Sequence, residues 1–297
     1  SSKGPLLTIL RLSNLTQIFD ASEESGEHST TFYFTSPLSS SFRLLEENAD
    51  LILGTKIKDG NFKNPNTGLF FSDLYSSVEY DSSHGVKDGF ASIKINDTPV
   101  KFDIRKGKGE GRYNTQLVAD DIFSVERILS SFNIKEEIRG SSRFKIKLAL
   151  PSFIKQEPFI DPEIEVLSNL AGISINLPDP FTKLEDTKVD FRLAFKSFLN
   201  KPPQLGFKYG DLFRGKFNFP NNTTEGFVIA GKKKQSVSIL DEQILLVGEL
   251  QKLDLGSLIS LGIFEEEGSG NFYIKDLLVQ ETNFSNLSLS KTRFKSS

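Results

Sequence analysis

Apolar and polar residues alternate with a period of two along much of the chain. Val100-Lys101-Phe102-Asp103-Ile104-Arg105 sets apolar side chains on one face and charges on the other. Arg143-Phe144-Lys145-Ile146-Lys147-Leu148 and Lys188-Val189-Asp190-Phe191-Arg192-Leu193-Ala194-Phe195-Lys196 repeat the scheme. So do the shorter runs Ser92-Ile93-Lys94-Ile95-Asn96 and Ile173-Ser174-Ile175-Asn176-Leu177. A strand turns successive side chains to opposite faces, so each run predicts an antiparallel strand with one dry and one wet face. A closed sandwich would give the same alternation. The pattern alone therefore leaves the choice between a closed core and an open sheet.

Turn residues divide these runs. Asn96-Asp97-Thr98-Pro99 predicts a hairpin joining 92–96 to 100–105. Lys106-Gly107-Lys108-Gly109-Glu110-Gly111 predicts a flexible loop, and Asp59-Gly60 and Asp88-Gly89 predict tight turns. Pro202-Pro203, Pro220-Asn221-Asn222 and Gly268-Ser269-Gly270 mark further breaks. Helical spacing is rare. Val125, Ile128, Leu129 and Phe132 predict a short helix over 121–132 capped by Asp121. Leu258, Ile259 and Leu261 predict another over 254–262 capped by Asp254, and a third starts at Ser13-Asn14 and covers 13–20. Each is too short to stand alone, so each packs on or plugs the sheet. The pattern Phe/Leu-Ser-Asp/Asn-Leu recurs at 12–15, 71–74, 167–170 and 284–287. The spacing is irregular, which excludes a strict solenoid and leaves recurring units or simple turn marking.

Composition narrows the chemistry. With 297 residues the chain holds one or two domains. Phe occurs 27 times although only 37% of residues are hydrophobic, so the apolar positions are few but bulky. Basic and acidic residues number 36 and 39, a balance that offers no basic stripe for nucleic acid. The absence of Cys removes disulfides, thiolate nucleophiles and Cys-ligated metals, and two His residues cannot build a multi-histidine metal site. His28 in Gly-Glu-His-Ser and His84 in Ser-Ser-His-Gly read as solvated loop and turn residues. Neither sits near a nucleophile elbow. The Gly107–Gly111 stretch lacks the Gly-Lys-Ser/Thr ending of a phosphate loop. Lys232-Lys233-Lys234 and Glu265-Glu266-Glu267 read as solvated charge, and Asn14-Leu15-Thr16 and Asn222-Thr223-Thr224 as chance glycosylation patterns.

No apolar run approaches the roughly 20 residues of a membrane-spanning helix. Residues 1–20 lack the order of a signal peptide. The chain opens on Ser1 rather than Met, so the expectation is an excerpt of a longer protein. The lack of Cys suits an oxidising compartment. What remains is the apolar face itself.

Three groups of residues carry a family resemblance. Asn66-Thr67-Gly68-Leu69-Phe70-Phe71-Ser72-Asp73-Leu74, followed by Val78-Glu79-Tyr80-Asp81 and Gly85-Val86, resembles a recurrent unit of the YhdP proteins, members of the AsmA-like family. That unit continues there through a Gly-x-Pro-Val turn into an alternating strand. Here Asn96-Asp97-Thr98-Pro99-Val100-Lys101-Phe102-Asp103-Ile104 stands in its place, with Asp and Thr for the usual Gly-Gln. Ser168-Asn169-Leu170-Ala171-Gly172-Ile173 and Leu177-Pro178-Asp179-Pro180-Phe181-Thr182-Lys183 resemble Ser-x-Leu-x-Gly and Leu-Pro-x-Pro-Leu-Gly-Lys, with Thr182 in the place of Gly. Gly248-Glu249-Leu250-Gln251-Lys252-Leu253-Asp254-Leu255 resembles the family's Gly-x-Leu-x-x-Leu-Asp-Leu entry into a short helix, without the Trp often found there. The three occur in family order over about 66–290.

The resemblance implies a segment of a long periplasmic protein of Gram-negative bacteria, anchored in the inner membrane by a segment not present here. It implies a mainly β fold: a long twisted antiparallel sheet curled into an open apolar groove, with two or three short helices. It further implies a non-enzymatic conduit carrying phospholipids between inner and outer membrane. No cofactor, no metal and no nucleic acid are expected. The expected partners are phospholipid acyl chains and, through segments outside this chain, the two membranes. Residues 1–297 are expected to be one continuous groove segment, with possible sub-units 1–150 and 151–297. The expected groove lining is Ile93, Ile95, Val100, Phe102, Ile104, Phe144, Ile146, Leu148, Ile173, Ile175, Leu177, Val189, Phe191, Leu193 and Phe195. The alternative is a structural or adhesive all-β protein with closed cores and no lipid ligand.

Overall fold

In the computed structural model of the chain the described residues are 2–5, 24–35, 50–63, 70–81, 85–106, 115–129, 137–150, 163–196, 201–220, 223–232, 237, 243–260, 271–284 and 287–295. They are mainly strand, with two short helices. The chain divides into two compact units. One comprises Ser1–Asp121, Arg127–Asn133 and Lys145–Glu163; the other comprises Ile122–Glu126, Ile134–Phe144 and Ile164–Ser297.

The first unit is an antiparallel meander. Strands β1 (Ser2–Pro5), β2 (Glu24–Thr35), β3 (Asp50–Lys63), β4 (Phe70–Asp81), β5 (Gly85–Ile95), β6 (Thr98–Lys106) and β7 (Thr115–Ser124) pair in chain order. The predicted hairpin is present between β5 and β6. Asn96 and Asp97 both take left-handed φ, 45° and 62°, which a two-residue hairpin loop of this kind demands. Short polar side chains tolerate that conformation, so the family's Gly can be absent. The Asn96 side chain then ties the turn to β4, accepting the Phe70 N–H at 2.9 Å.

Two predicted turns are something else. Asp59-Gly60 lies inside β3, where left-handed Asp59 (φ 52°) marks a bulge that shifts the register with β4. Gly89 pairs with Val78 in the middle of the β4–β5 ladder. Strand pairing on both sides overrides the local turn preference. His28 is likewise no loop residue: it pairs with Ile57 within β2–β3 and is buried. Residues 107–114, 13–20, 268–270 and His84 lie outside the described residues, and with them the loop, the third helix and one predicted break.

The chain continues through α1 (Val125–Ile128) and β8 (Ile138–Leu150). The expected helix over 121–132 is shorter than its spacing suggested, because β7 runs on to Ser124 and takes Asp121 into the strand. Glu126 anchors the helix instead, accepting the Ser124 hydroxyl at 2.6 Å and the Gly140 N–H at 2.9 Å. These bonds hold its carboxyl below the usual carboxylate range.

The second unit contains β9 (Glu163–Ser168), β10 (Ile173–Ile175), β11 (Phe191–Lys196), β12 (Gln204–Tyr209), β13 (Phe213–Asn218), β14 (Glu225–Ala230), β15 (Gln243–Asp254), β16 (Asn271–Phe284) and β17 (Leu287–Phe294). Strands β11 to β14 form an antiparallel meander, with Pro202-Pro203 and Pro220 at two of its turns. The alternation does not reveal that β14–β15 and β15–β16 pair parallel. Parallel neighbours need crossover connections, which are 231–242 and 255–270 here. Parallel strands are buried on both faces, and here Ile229, Leu245 and Val247 are buried on the face opposite Ala230 and Gly248. The second crossover begins with α2 (Leu255–Ser260), where predicted. Asp254 caps it, accepting the Ser257 N–H at 3.0 Å and the Ser257 hydroxyl at 2.8 Å.

Candidate functional site

Register places the apolar side chains in rungs that cross each unit's strands. In the first unit Ile93 faces Val100, Ala91 faces Phe102, and Gly89 faces Ile104, so Ile93, Val100, Phe102 and Ile104 share one face. Ile95 joins them opposite Thr98. The ladder extends these rungs over more strands. Ile57, Ser76, Ala91 and Phe102 form one, with His28 at its β2 end. Thr30, Thr55, Val78, Gly89, Ile104 and Leu117 form the next. Val86, Ala91 and Ile104 are its buried centre, with Leu74, Val78, Tyr80, Phe102 and Leu117 packed around them. The back of β5 and β6 carries exposed Lys94, Lys101, Asp103 and Arg105. Lys94 pairs with Asp73 at 2.6 Å in solvent, a contact of little energetic weight.

The second unit repeats the arrangement with larger side chains. Phe191, Tyr209, Phe213, Ala230, Gly248, Leu277 and Phe294 lie in register across β11 to β17. Leu193, Phe207, Gly215, Val228, Leu246 and Ile274 form the next rung, and Phe195, Leu205, Phe217, Gly226 and Ile244 a third. Burial is graded along this face. Phe213, Ala230, Leu250, Leu277 and Val279 form a closed cluster, whereas Phe195, Leu205, Phe217 and Ile244 are only half-buried. Exposed Arg192 and Lys208 lie back to back with the first rung, and Arg192 meets Glu165 at 2.9 Å.

A loop covers the closed end. After β10 the chain turns at Leu177-Pro178-Asp179-Pro180, where Pro supplies no N–H to extend a ladder. The Phe181 ring stacks on Phe213 with centroids 5.1 Å apart. Asp179 reaches Lys252 at 2.8 Å, and its carbonyl accepts the Asp254 N–H at 3.0 Å. Thr182 closes the turn by donating its hydroxyl to the Leu177 carbonyl, a tie that the family's Gly cannot make. Lys183 is 3% exposed, and its ammonium donates to the Ile173 and Leu184 carbonyls at 2.6 and 2.9 Å. Burial pushes its pKa down, while Asp186 and Glu185 oppose the change. Gly172 holds the other side of the loop. At φ 85° a Cβ there would lie 2.3 Å from the Ser141 carbonyl oxygen, so no other residue fits without backbone movement.

The remaining expected lining residues are distributed differently. Phe144 on β8 is buried, its ring 6.3 Å from Phe123. Ile146 and Leu148 are half-buried, but so are Lys145 and Lys147, so burial does not follow the alternation there. Ile173 is buried and Ile175 bridges Lys183. Leu177 and Val189 lie outside the strands, since β10 stops at Ile175 and β11 starts at Phe191. Leu205, Phe207, Tyr209, Phe213 and Phe217 belong to the face but were not in the expected set. Leu205-Gly206-Phe207-Lys208-Tyr209 alternates as clearly as the runs that were, with Gly diluting the signal.

The arrangement offers extended apolar contact. Among the described residues no cluster could hold a metal ion, and no helix is long and apolar enough to cross a membrane. A family model described as YhdP protein matches residues 13–296. No curated protein and no solved structure matches the chain.

Proposed function

We propose, because the chain belongs to the YhdP family, a bacterial envelope family of non-enzymatic, lipid-transport type, that it is a segment of a periplasmic conduit for phospholipids between inner and outer membrane. The observation that carries this reading is the set of rungs in each unit. Apolar side chains continue from strand to strand, with charges behind them on β5, β6, β11 and β12, and in the second unit the face passes from closed to half-buried. An acyl chain laid across such a face leaves water at about 0.8 kcal/mol per CH₂. The headgroup keeps to polar surroundings.

Photoreactive residues at Ile93 and Phe195, introduced one at a time into the protein in its native envelope, test this. Expected are covalent phospholipid adducts by mass spectrometry at both positions and none at Lys208 on the back. Adducts at Lys208 with none at the other two, or no lipid adduct anywhere, would refute the conduit and favour closed cores.

A further inference from the structure

We propose that a polar patch on the first unit's face, His28, Thr30, Thr55 and Ser76 on β2–β4, hydrogen-bonds the phosphate or ester oxygens of a glycerophospholipid while the apolar residues of the same rungs on β5–β7 take its acyl chains. This rests on the conduit reading and adds an orientation to it. In two rungs polarity falls from β2 to β7, while Leu53, Tyr80 and Val86 make the next rung apolar and Thr98 and Thr115 are buried on β6 and β7. His28 and Thr30 lie on β2, Thr55 and Ile57 on β3, and Ser76 and Val78 on β4; Ala91, Phe102, Ile104 and Leu117 follow. Thr30 and Thr55 hydroxyls meet at 3.3 Å beside the histidine. His28 is 7% exposed, and among the described residues its Nδ1 has no hydrogen-bond partner.

Nothing in strand pairing requires a histidine there. An apolar residue at position 28 would complete the rung, whereas a buried polar atom without a partner destabilises the fold. A ligand that supplies the missing bond accounts for its retention. With a proton on Nδ1 the imidazole donates there, and phosphate and ester oxygens are acceptors without a proton. An amphipathic ligand therefore matches these two rungs from their polar end to their apolar end.

The chain has only two histidines, so the protein labelled with ¹⁵N-histidine reads the patch directly, with His84 as internal reference. Diheptanoyl phosphatidylcholine, inorganic phosphate and an alkyl glucoside are added in separate arms. The expected result is a shift of His28 Nδ1 with phosphatidylcholine alone. H28L should retain roughly fivefold less phospholipid, the weight of one hydrogen bond. It should also be at least as stable as the parent protein, and H28N, which keeps a polar atom near Nδ1, should restore retention. A shift with phosphate alone would make this a free-anion site, and an equal shift with the glucoside would reduce it to apolar contact; either overturns the proposal. So does an unmoved His28 when lipid adducts form at Ile93. Absence of adducts at Ile93 would instead fell the conduit reading itself. The spectra of the unsubstituted protein decide the matter even if H28L fails to fold.

Discussion

Phe102 and Ile104 sit two residues apart on one strand and face, yet they should respond differently to a charge. Ile104 is 5% exposed and packs with Val86, Ala91 and Leu117. Ile104→Asp forfeits about 1.5–3 kcal/mol of burial and sets a carboxylate among Val86, Ala91 and Leu117. Together these exceed about 4 kcal/mol, a large part of the 5–15 kcal/mol that holds a domain together. Phe102 is only half-buried, so Phe102→Asp loses about half of a phenylalanine's burial and its carboxylate can still reach water. The expected cost is about 1–3 kcal/mol. Arg105→Gln, on the exposed back, should stay within about 0.5 kcal/mol of the parent.

Urea unfolding followed by circular dichroism gives the three stabilities, and a photoreactive residue at Ile93 reports lipid in each variant. If the face is a lipid surface, Phe102→Asp remains folded and loses its phospholipid adduct, because acyl chains avoid a charge that the protein itself tolerates. Ile104→Asp unfolds, and Arg105→Gln changes neither readout. The reasoning is refuted if Phe102→Asp is as destabilised as Ile104→Asp, which is the behaviour of a closed core. It is equally refuted if Phe102→Asp stays folded and keeps its full adduct yield.

Two further outcomes follow from the loop and the helix cap. Asp254→Ala should cost about 1 kcal/mol. Hydrogen bonds from Ser257 hold the Asp254 carboxyl below its usual range, so the cap's contribution is complete at neutral pH and lost as pH falls through the depressed folded value; the parent and variant should therefore converge in acid urea titrations. Lys183 has the opposite linkage: burial depresses the folded amine, so the unfolded chain holds more protons between that value and the ordinary 10.5, and stability should rise with pH across the interval. Lys183→Met should abolish that rise in parallel alkaline titrations, and an unchanged slope would remove Lys183 as its source.

The fold was legible where strand chemistry is local. Alternation located β5, β6, β8 and β11, the Asn96-Asp97 pair located a hairpin, and Asp254 located a helix start, because each depends on a few neighbouring side chains. Parallel pairing of β14, β15 and β16 was hidden, since it depends on crossovers many residues long and buries both faces, which erases the alternation that signals a strand. His28 was misread for a related reason. Gly-Glu-His-Ser has the composition of a loop, and only pairing with Ile57 gives it an inside and an outside.

The family motifs and the candidate face answer to different physics. Gly172, Lys183 and Asp254 act on the backbone: a close approach, two carbonyls satisfied, a helix capped. Gly248 belongs with them, since at φ 125° a Cβ there would sit 2.1 Å from the Ala230 carbonyl oxygen. Such jobs admit few residues, so they leave a recognisable spacing in a sequence. The apolar rungs admit many. Phe, Leu, Ile, Val and Tyr all present area to an acyl chain, and volume-conserving exchanges among them cost little. A function spread over such a face leaves a periodicity rather than a motif. The motifs therefore identify the scaffold, while the candidate lipid surface is visible only once register shows which apolar residues stand beside one another.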